Sequence, residues 1–191
     1  MTDANSKFSV ASNALSVATG GAVNDGLWYP LITHQDGLVL LATIVPTEGR
    51  MQNGWDGQQS GVVAEGIEFN TSSVISAIIQ STAVSVGTYT PGTQYRIAVV
   101  KRKSGNGVYV FIRGGAFSNW TLLSISSSVS GSFPAIGLIR NTTAVFTADN
   151  IRIPTATWLP VPLVSDGFSA ATTDGLGHAE QNGGSGRESA A

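Results

Sequence analysis

The stretch that decides the fold is GTQYRIAVVKRKSGNGVYVFIRGG, which runs from Gly92 to Gly115. On both sides of the short segment SGNG lie apolar runs, Ile97–Val100 and Val108–Ile112, and runs of this length rich in β-branched and aromatic residues are typical of β-strands. The dipeptide Asn106-Gly107 in this segment is the strongest short hairpin signal in the chain. The stretch therefore predicts two antiparallel strands joined by a tight turn.

Further strand pairs lie on either side of this hairpin. The segment KFSVASNALSV, the pair GVVAEGIEF and SVISAIIQS around NTSS, and the pair FPAIGLIRN and AVFTADNIRIP around Asn141-Thr142 each predict a hairpin. GLVLLATIV, from Gly37 to Val45, is apolar on both faces and predicts a central strand. We count roughly ten short strands with a turn signal every 8 to 12 residues, which favours a β-sandwich or barrel.

The composition fits a turn-rich β-protein with a neutral surface. Charged residues make up 12% of the 191 residues, against a usual share of roughly 25%, and 23 residues are glycine. The net charge of −2 argues against broad electrostatic capture of nucleic acid. There is no cysteine, no basic and apolar leader, and no apolar run longer than Leu38 to Ala42. We therefore expect no disulfide, no signal peptide and no membrane span.

Two long windows, Phe69 to Tyr95 and Gly114 to Ile139, carry no charge. Uncharged, β-prone segments aggregate when exposed, so the basic residues around these windows are predicted to act as gatekeepers. They are Arg96, Lys101, Arg102, Lys103, Arg113 and Arg140. We interpret the cluster KRK, Lys101 to Lys103, as a solvated hairpin end, with a polyanion site as the alternative.

The order of these elements resembles a concanavalin A-like (laminin-G-like) jelly-roll sandwich. The stretch Gly92–Gly115 resembles the long hairpin of that superfamily, and AVFTADNIRIP resembles its closing strand, which returns to the strand near the N-terminus. SDGFSAATTDGLGHAE, from Ser165, resembles the opening strand of such domains, which occur in tandem in bacterial surface proteins and phage virion proteins. Because this opening strand follows the closing one, the chain is predicted to be circularly permuted, as is easy when domain termini lie close together.

The predicted organisation is a jelly-roll β-sandwich over residues 1–154 and an extended C-terminal arm over residues 155–191. The segment WLPVPLV, from Trp158, contains two prolines, which stiffen and extend a linker. A strand beyond it could complete the chain's own sandwich, or add to a neighbouring subunit and build an oligomer or filament. We expect the second arrangement. The assembly arm then comprises Trp158, Leu159, Val161, Leu163, Val164, Phe168, Leu176 and His178.

Catalytic and metal-binding groups are sparse. Glu65 and Glu68 are the nearest candidates for a glycosidase pair, but residues three apart in a strand point to opposite faces, whereas such carboxylates must converge. His34 and Asp36 are too few ligands for a metal site. We therefore predict no enzymatic activity, no cofactor and no metal. The resemblance leaves calcium open, but no loop dense in acidic residues supports it; its oxygens would come from Asp25, Asp36, Asp56 or Asp149.

Aromatic residues among polar neighbours are the candidates for a sugar site. In PTEGRMQNGWDGQQSG, from Pro46 to Gly61, turn dipeptides flank Trp55, and a ring at a loop tip among amides and carboxylates suits carbohydrate. Tryptophan is also enriched in cores and subunit interfaces, so that alternative stays open. The candidate carbohydrate site comprises Trp55, Asn53, Asp56, Trp28, Tyr29 and Trp120.

Two functions are consistent with the sequence. The first is a structural protein of a phage virion, a capsid decoration or fibre protein, which assembles through its C-terminal arm with copies of itself or with a capsid or filament. The second is a carbohydrate-binding jelly-roll module that acts in surface adhesion. In either case we expect cytoplasmic synthesis and a final location on a virion or an extracellular surface.

Overall fold

The described part of the chain folds as a sandwich of two antiparallel β-sheets. The computed structural model describes residues 2–3, 8–11, 14–17, 23–28, 37–56, 63–102, 107–127, 133–140 and 143–153. These residues belong to one unit, Met1–Ala156, and a second unit, Thr157–Ala191, lies outside them. The strands are β1 (Thr2–Asp3), β2 (Phe8–Ala11), β3 (Ala14–Val17), β4 (Leu27–Trp28), β5 (Val39–Glu48), β6 (Met51–Asp56), β7 (Val63–Phe69), β8 (Val74–Ile79), β9 (Thr82–Thr88), β10 (Tyr95–Arg102), β11 (Gly107–Gly114), β12 (Phe117–Ser126), β13 (Phe133–Ile139) and β14 (Val145–Arg152).

Each sheet contains seven of these strands. Sheet A has the order β1-β4-β13-β6-β7-β8-β9, and sheet B has the order β12-β11-β10-β5-β14-β3-β2. This arrangement confirms the predicted all-β sandwich, the hairpins β2–β3, β7–β8 and β10–β11, and the central place of β5. Within the described ranges, no helix is long and apolar enough to cross a membrane.

Alternate residues of the two sheets meet in one core. Strand β5 contributes Leu40 and Ile44, and β10 contributes Ile97 and Val99, all of them fully buried. The facing layer from sheet A includes Met51, Trp55, Ile67, Phe69 and Ile75. Because successive side chains of a strand point to opposite faces, the residues between these core positions in β5 and β10 lie on the outer face of sheet B.

The outer face of sheet A is buried along β7. Every residue of β7 is buried. Glu68 lies there beside β6, and its carboxylate accepts hydrogen bonds from Nε of Arg50 (2.8 Å) and Nε2 of Gln52 (2.7 Å). A second apolar cluster joins the same sheet, formed by Trp28, Val63, Ile78, Ala135 and Leu138. Strand β7 in the middle of sheet A is therefore covered on both faces, whereas β9 at the edge of the same sheet is mostly exposed.

One predicted hairpin is wrong. The strands around Asn141-Thr142 lie in different sheets: β13 pairs with β4 and β6, whereas β14 pairs with β5 and β3. Turn residues indicate where a chain can reverse, but they do not determine which strand it pairs with next. The pairing of β14 with β3 nevertheless places the closing strand beside an N-terminal strand, as the resemblance implied.

The loop predicted from Pro46 to Gly61 is also wrong over the part that the structure describes. Strand β5 extends to Glu48 and β6 begins at Met51, so the chain crosses between the sheets within two residues. One of them, Gly49, has a φ of +82°, and a Cβ there would collide with the backbone of Ala144. A short crossover that needs glycine at position 49 therefore connects β5 directly to β6, and the residues after it form a strand instead of a loop.

Candidate functional site

An open groove lies on the outer face of sheet B. Its volume is about 300 Å³, and its walls come from β5, β10, β12 and β14. This is the lower end of the roughly 300–1,000 Å³ that small-molecule sites occupy, so the groove can hold a small polar molecule or one unit of a longer chain. The lining residues are Leu41, Ala42, Thr43, Arg96, Ile97, Trp120, Asn150 and Arg152.

The register of sheet B explains which side chains face the groove. Ala42 and Ile97 belong to the core, so their neighbours in sequence, Leu41, Thr43 and Arg96, point to the outer face. Arg96 on β10 pairs directly with Thr43 on β5. The basic side chain of Arg96 therefore stands beside a hydroxyl on the floor of the groove.

Trp120 forms an aromatic wall of the groove. It lies on β12, which is an edge strand of sheet B among the described strands, and 45% of its surface is exposed. Leu122 and Ile125 on the same strand are 44% and 55% exposed. An indole that stays half exposed keeps one face accessible, and exposed apolar surface beside polar groups often marks a binding surface.

The polar side of the groove is basic. Arg96 and Arg152 line it, and Arg113 on β11 stands directly opposite Arg96. Within the described residues, no carboxylate lies within ion-pair distance of these three guanidinium groups. The nearby carboxylate of Asp149 accepts hydrogen bonds from the backbone N (2.6 Å) and Nδ2 (3.2 Å) of Asn150 instead. The groove thus offers guanidinium donors to a ligand.

The aromatic residues that the sequence singled out lie in two different environments. Trp120 lines the groove, whereas Trp55 and Trp28 are buried, with 0% and 4% of their surfaces exposed. Asn53 is fully buried too, and its Oδ1 accepts a hydrogen bond from a backbone amide of β13 (2.8 Å). Three of the predicted carbohydrate ligands are therefore out of reach of a molecule on the surface.

Other predictions fall outside the described residues. Tyr29, the side chain of Asp56 and the calcium candidate Asp36 lie there, and so does the whole assembly arm from Trp158 to His178. The C-terminal arm and its role in assembly stay predictions.

Trp55 has a structural environment in the core. Its Nε1 donates to the carbonyl oxygen of Val99 across the sandwich (3.3 Å), and Nζ of Lys101 lies 5.1 Å from the centroid of its ring. Lys101 is only 1% exposed. Burial lowers the pKa of its ammonium to about 8, and the nearby carboxylate of Glu65 opposes that shift. The interpretation of the KRK cluster as a solvated hairpin end is therefore wrong for Lys101.

The acidic residues do not gather into one site. Glu65 pairs with Trp55, whose side chain is in the core, whereas Glu68 pairs with Gln52, so the two carboxylates lie on opposite faces of β7. Asp25, another calcium candidate, is fully buried. Among the residues that the structure describes, no group of three or more His, Asp or Glu could hold a metal ion.

Three polar residues of the groove, Thr43, Asn150 and Arg152, are not predicted as site residues from the sequence, and a fourth, Arg96, is predicted only as a gatekeeper. Asn150 has a φ of +50° where the register of β14 shifts, and such a β-bulge changes the direction of the side chains that follow it. The available signal was an Asp-Asn dipeptide inside an otherwise apolar strand, because asparagine tolerates the left-handed conformation.

No family model matches the sequence, and no curated protein matches it. Solved structures do resemble its fold. A Trypanosoma rangeli sialidase mutant with trans-sialidase activity has a TM-score of 0.55 at 15% identity, over 76% of this chain and 26% of that one. A functionally unknown protein from Saccharomyces cerevisiae has a TM-score of 0.55 at 7% identity, over 81% of this chain and 95% of that one. A GH131 β-glucanase catalytic domain from Podospora anserina has a TM-score of 0.48 at 12% identity, over 81% of this chain and 70% of that one.

The sialidase contradicts the prediction that the chain is not an enzyme, because the fold of this chain also occurs in that protein. That prediction rested on finding no catalytic pattern in the sequence, and catalytic groups are brought together by folding from positions far apart in a chain. At 15% identity the likeness shows the fold alone, and this chain spans about a quarter of the sialidase. The chemistry of the site must therefore be argued from its own residues.

Proposed function

We propose that this protein binds carbohydrate in the groove on the outer face of sheet B, with Trp120 as the surface on which a sugar ring stacks. The observation that carries the proposal is the position of this indole. It is 45% exposed and shares a groove of about 300 Å³ with Arg96, Asn150 and Arg152.

The chemistry of a sugar matches such a groove. A pyranose ring has an apolar face of C–H groups and a rim of hydroxyls, so it needs a flat apolar partner and several hydrogen-bonding groups around it. Trp120 supplies the first, and the guanidinium groups of Arg96 and Arg152 and the side-chain amide of Asn150 supply the second. Of the eight residues that line the groove, four are apolar and four are polar or charged, which suits a ligand that has both kinds of surface.

Binding to a glycan array, followed by calorimetric titration, tests this proposal. Replacing Trp120 by alanine removes the stacking surface and is expected to weaken binding at least 10-fold, while phenylalanine at this position restores part of the affinity. The matched control is Val84→Ala on β9, an apolar side chain that is 48% exposed on the other sheet. Equal affinity of Trp120→Ala and the unsubstituted protein would overturn the proposal, as would an array on which the intact protein binds nothing.

Self-association is a second candidate function, favoured by the exposed apolar side chains on edge strand β12. An edge strand carries unpaired backbone groups, and a second copy of the chain can pair with them and cover Leu122 and Ile125. Sedimentation velocity is expected to show a dimer or larger species that Leu122→Asp converts to monomer. A monomer at about 100 μM would exclude this surface as an interface.

The role in a virion or on an extracellular surface stays a proposal from the sequence. It requires the C-terminal arm as the assembling element. Deletion of residues 165–191 tests it, because a truncated chain that assembles as the full chain does would rule out the arm.

A further inference from the structure

We infer that the groove selects acidic carbohydrate, a sugar that carries a carboxylate or a sulfate, through the guanidinium groups of Arg96, Arg113 and Arg152. This inference rests on the proposed function, since it names the class of glycan that the same groove would bind.

The three arginines are concentrated on one surface. The chain has 10 lysines and arginines among 191 residues and a net charge of −2, so a local excess of positive charge does not follow from its composition. Arg96 and Arg152 line the groove, and Arg113 is the cross-strand partner of Arg96. All three side chains are exposed to solvent.

The pairing of Arg96 with Arg113 is unfavourable without a ligand. Like charges directly opposite each other on antiparallel strands repel. The line of cross-strand partners that begins with Arg113 and Arg96 continues to Thr43 on β5 and then to Asp149 on β14. Asp149 is the one acidic residue in this line. The Asp149 carboxylate accepts two hydrogen bonds from Asn150, of 2.6 and 3.2 Å, and among the described residues it is not within ion-pair distance of an arginine.

An oxyanion on the sugar would relieve this repulsion. A guanidinium group donates two parallel hydrogen bonds to a carboxylate or sulfate, and such charge-assisted bonds are roughly twice as strong as neutral ones. A neutral sugar can accept the same hydrogen bonds but leaves the repulsion in place. With the ring of the sugar on Trp120, an acidic substituent can face Arg96 and Arg152, which line the same groove.

The full chain is tested by titration with matched pairs of probes, of which one member carries an anionic group and the other does not. The first pair is an oligogalacturonate and its methyl ester, which isolates the carboxylate. The second pair is a sulfated galacto-oligosaccharide and its desulfated form, which isolates the sulfate. We expect the acidic member of at least one pair to bind 10-fold or more tightly, and this preference to shrink when the salt concentration is raised from about 50 to 300 mM.

Substitutions assign that preference to the arginines. Arg96→Gln and Arg152→Gln are expected to remove the preference for the acidic probe while retaining weak binding of the neutral one. Arg140→Gln is the matched control, because it removes the same charge from a half-exposed position after β13 whose Nη1 donates to Asn24 rather than lining the groove. A circular dichroism melt confirms that each variant folds.

The outcomes separate this inference from the proposed function. If the neutral and acidic probes bind equally, and Arg96→Gln changes nothing while Trp120→Ala abolishes binding, the inference is overturned and the groove is a neutral-sugar site. If no probe binds and the intact protein is also silent on the glycan array, both are overturned. A single-stranded oligonucleotide that binds more tightly than either acidic sugar would assign the arginines to nucleic acid instead.

Discussion

The free energy of unfolding is expected to rise with pH above neutrality because Lys101 is buried as an ammonium. Its side chain is 1% exposed, and burial lowers its pKa from 10.5 to about 8 even though Glu65 favours the charged form. The unfolded chain returns this group to water, where its pKa is close to 10.5. The difference in proton affinity between the two states links stability to pH.

The sign and size follow from the two pKa values of Lys101. Between about pH 8 and pH 10.5 the unfolded state holds a proton that the folded state has released, so a rise in pH favours the folded state. Each unit of pKa difference corresponds to about 1.4 kcal/mol, and the stability gained between pH 7 and pH 9.5 is about 2 kcal/mol. Above pH 10 the gain is opposed by Tyr89, whose pKa is raised by burial and by Tyr95, so the unfolded chain loses that proton first.

Urea denaturation at half-unit steps from pH 7 to pH 9.5 measures this slope, with tryptophan fluorescence as the probe. The m-value should stay constant, so that a change in midpoint reports stability. Lys101→Met keeps an apolar chain of similar length beside Trp55 and removes the titrating group. The slope is expected to vanish in this variant, whatever its absolute stability. Glu48→Gln, at an exposed position at the end of β5, is the control and should retain the slope.

Two results would refute this reasoning about Lys101. One is a stability that stays flat from pH 7 to pH 9.5 in the unsubstituted protein, which would mean that the ammonium remains hydrated. The other is a slope that survives in Lys101→Met, which would assign the pH dependence to another group.

Two further substitutions test how the sandwich is held together. Gly137→Ala is expected to lower the free energy of unfolding by about 2–4 kcal/mol, because φ is +63° there and a Cβ would collide with the ring of Phe146. Gly92→Ala is the control and should cost only about 1 kcal/mol of backbone strain, because φ is +77° but nothing lies within 4 Å of the added Cβ. Thermal melts that show equal losses of stability in the two variants would contradict the collision. Glu68→Gln should lower the free energy of unfolding by about 1–3 kcal/mol, because it removes the buried charge that accepts the 2.8 Å bond from Arg50. Urea denaturation measures this loss, and an unchanged midpoint would show that the charge of Glu68 makes no net contribution to stability.

Local pattern was enough to predict strands and the hairpins whose two arms pair with each other. Strands β10 and β11 pair from Arg96 with Arg113 to Arg102 with Gly107, as the turn dipeptide Asn106-Gly107 between two apolar runs indicates. The same kind of signal failed for β13 and β14, because the chain passes from one sheet to the other between them. Which sheet a strand joins depends on partners far away in the sequence, and no local pattern contains them.

Trp55 is predicted at a loop tip but lies in the core, and the glycine beside it in the sequence explains the difference. The dipeptides Asn53-Gly54 and Asp56-Gly57 predict turns, but Gly54 lies inside β6 opposite Gly66 of β7. A Cβ on Gly54 would collide with the backbone oxygen of Glu65. Glycine inside a strand often marks such a close approach of two backbones. The alternation of Met51, Asn53 and Trp55 then places the tryptophan in the core.

The groove itself required the fold. Trp120, Arg96 and Asn150 belong to β12, β10 and β14, and β5 lies between the last two in sheet B. Each of the three has an ordinary local explanation: an aromatic residue on an edge strand, a gatekeeper beside an uncharged window, and an asparagine at a bulge. Only the register, which pairs Arg96 with Thr43 and Thr43 with Asp149, turns these separate features into one surface. A site assembled across four strands in this way has no sequence motif, so its ligand has to be inferred from the charge and exposure of the assembled surface.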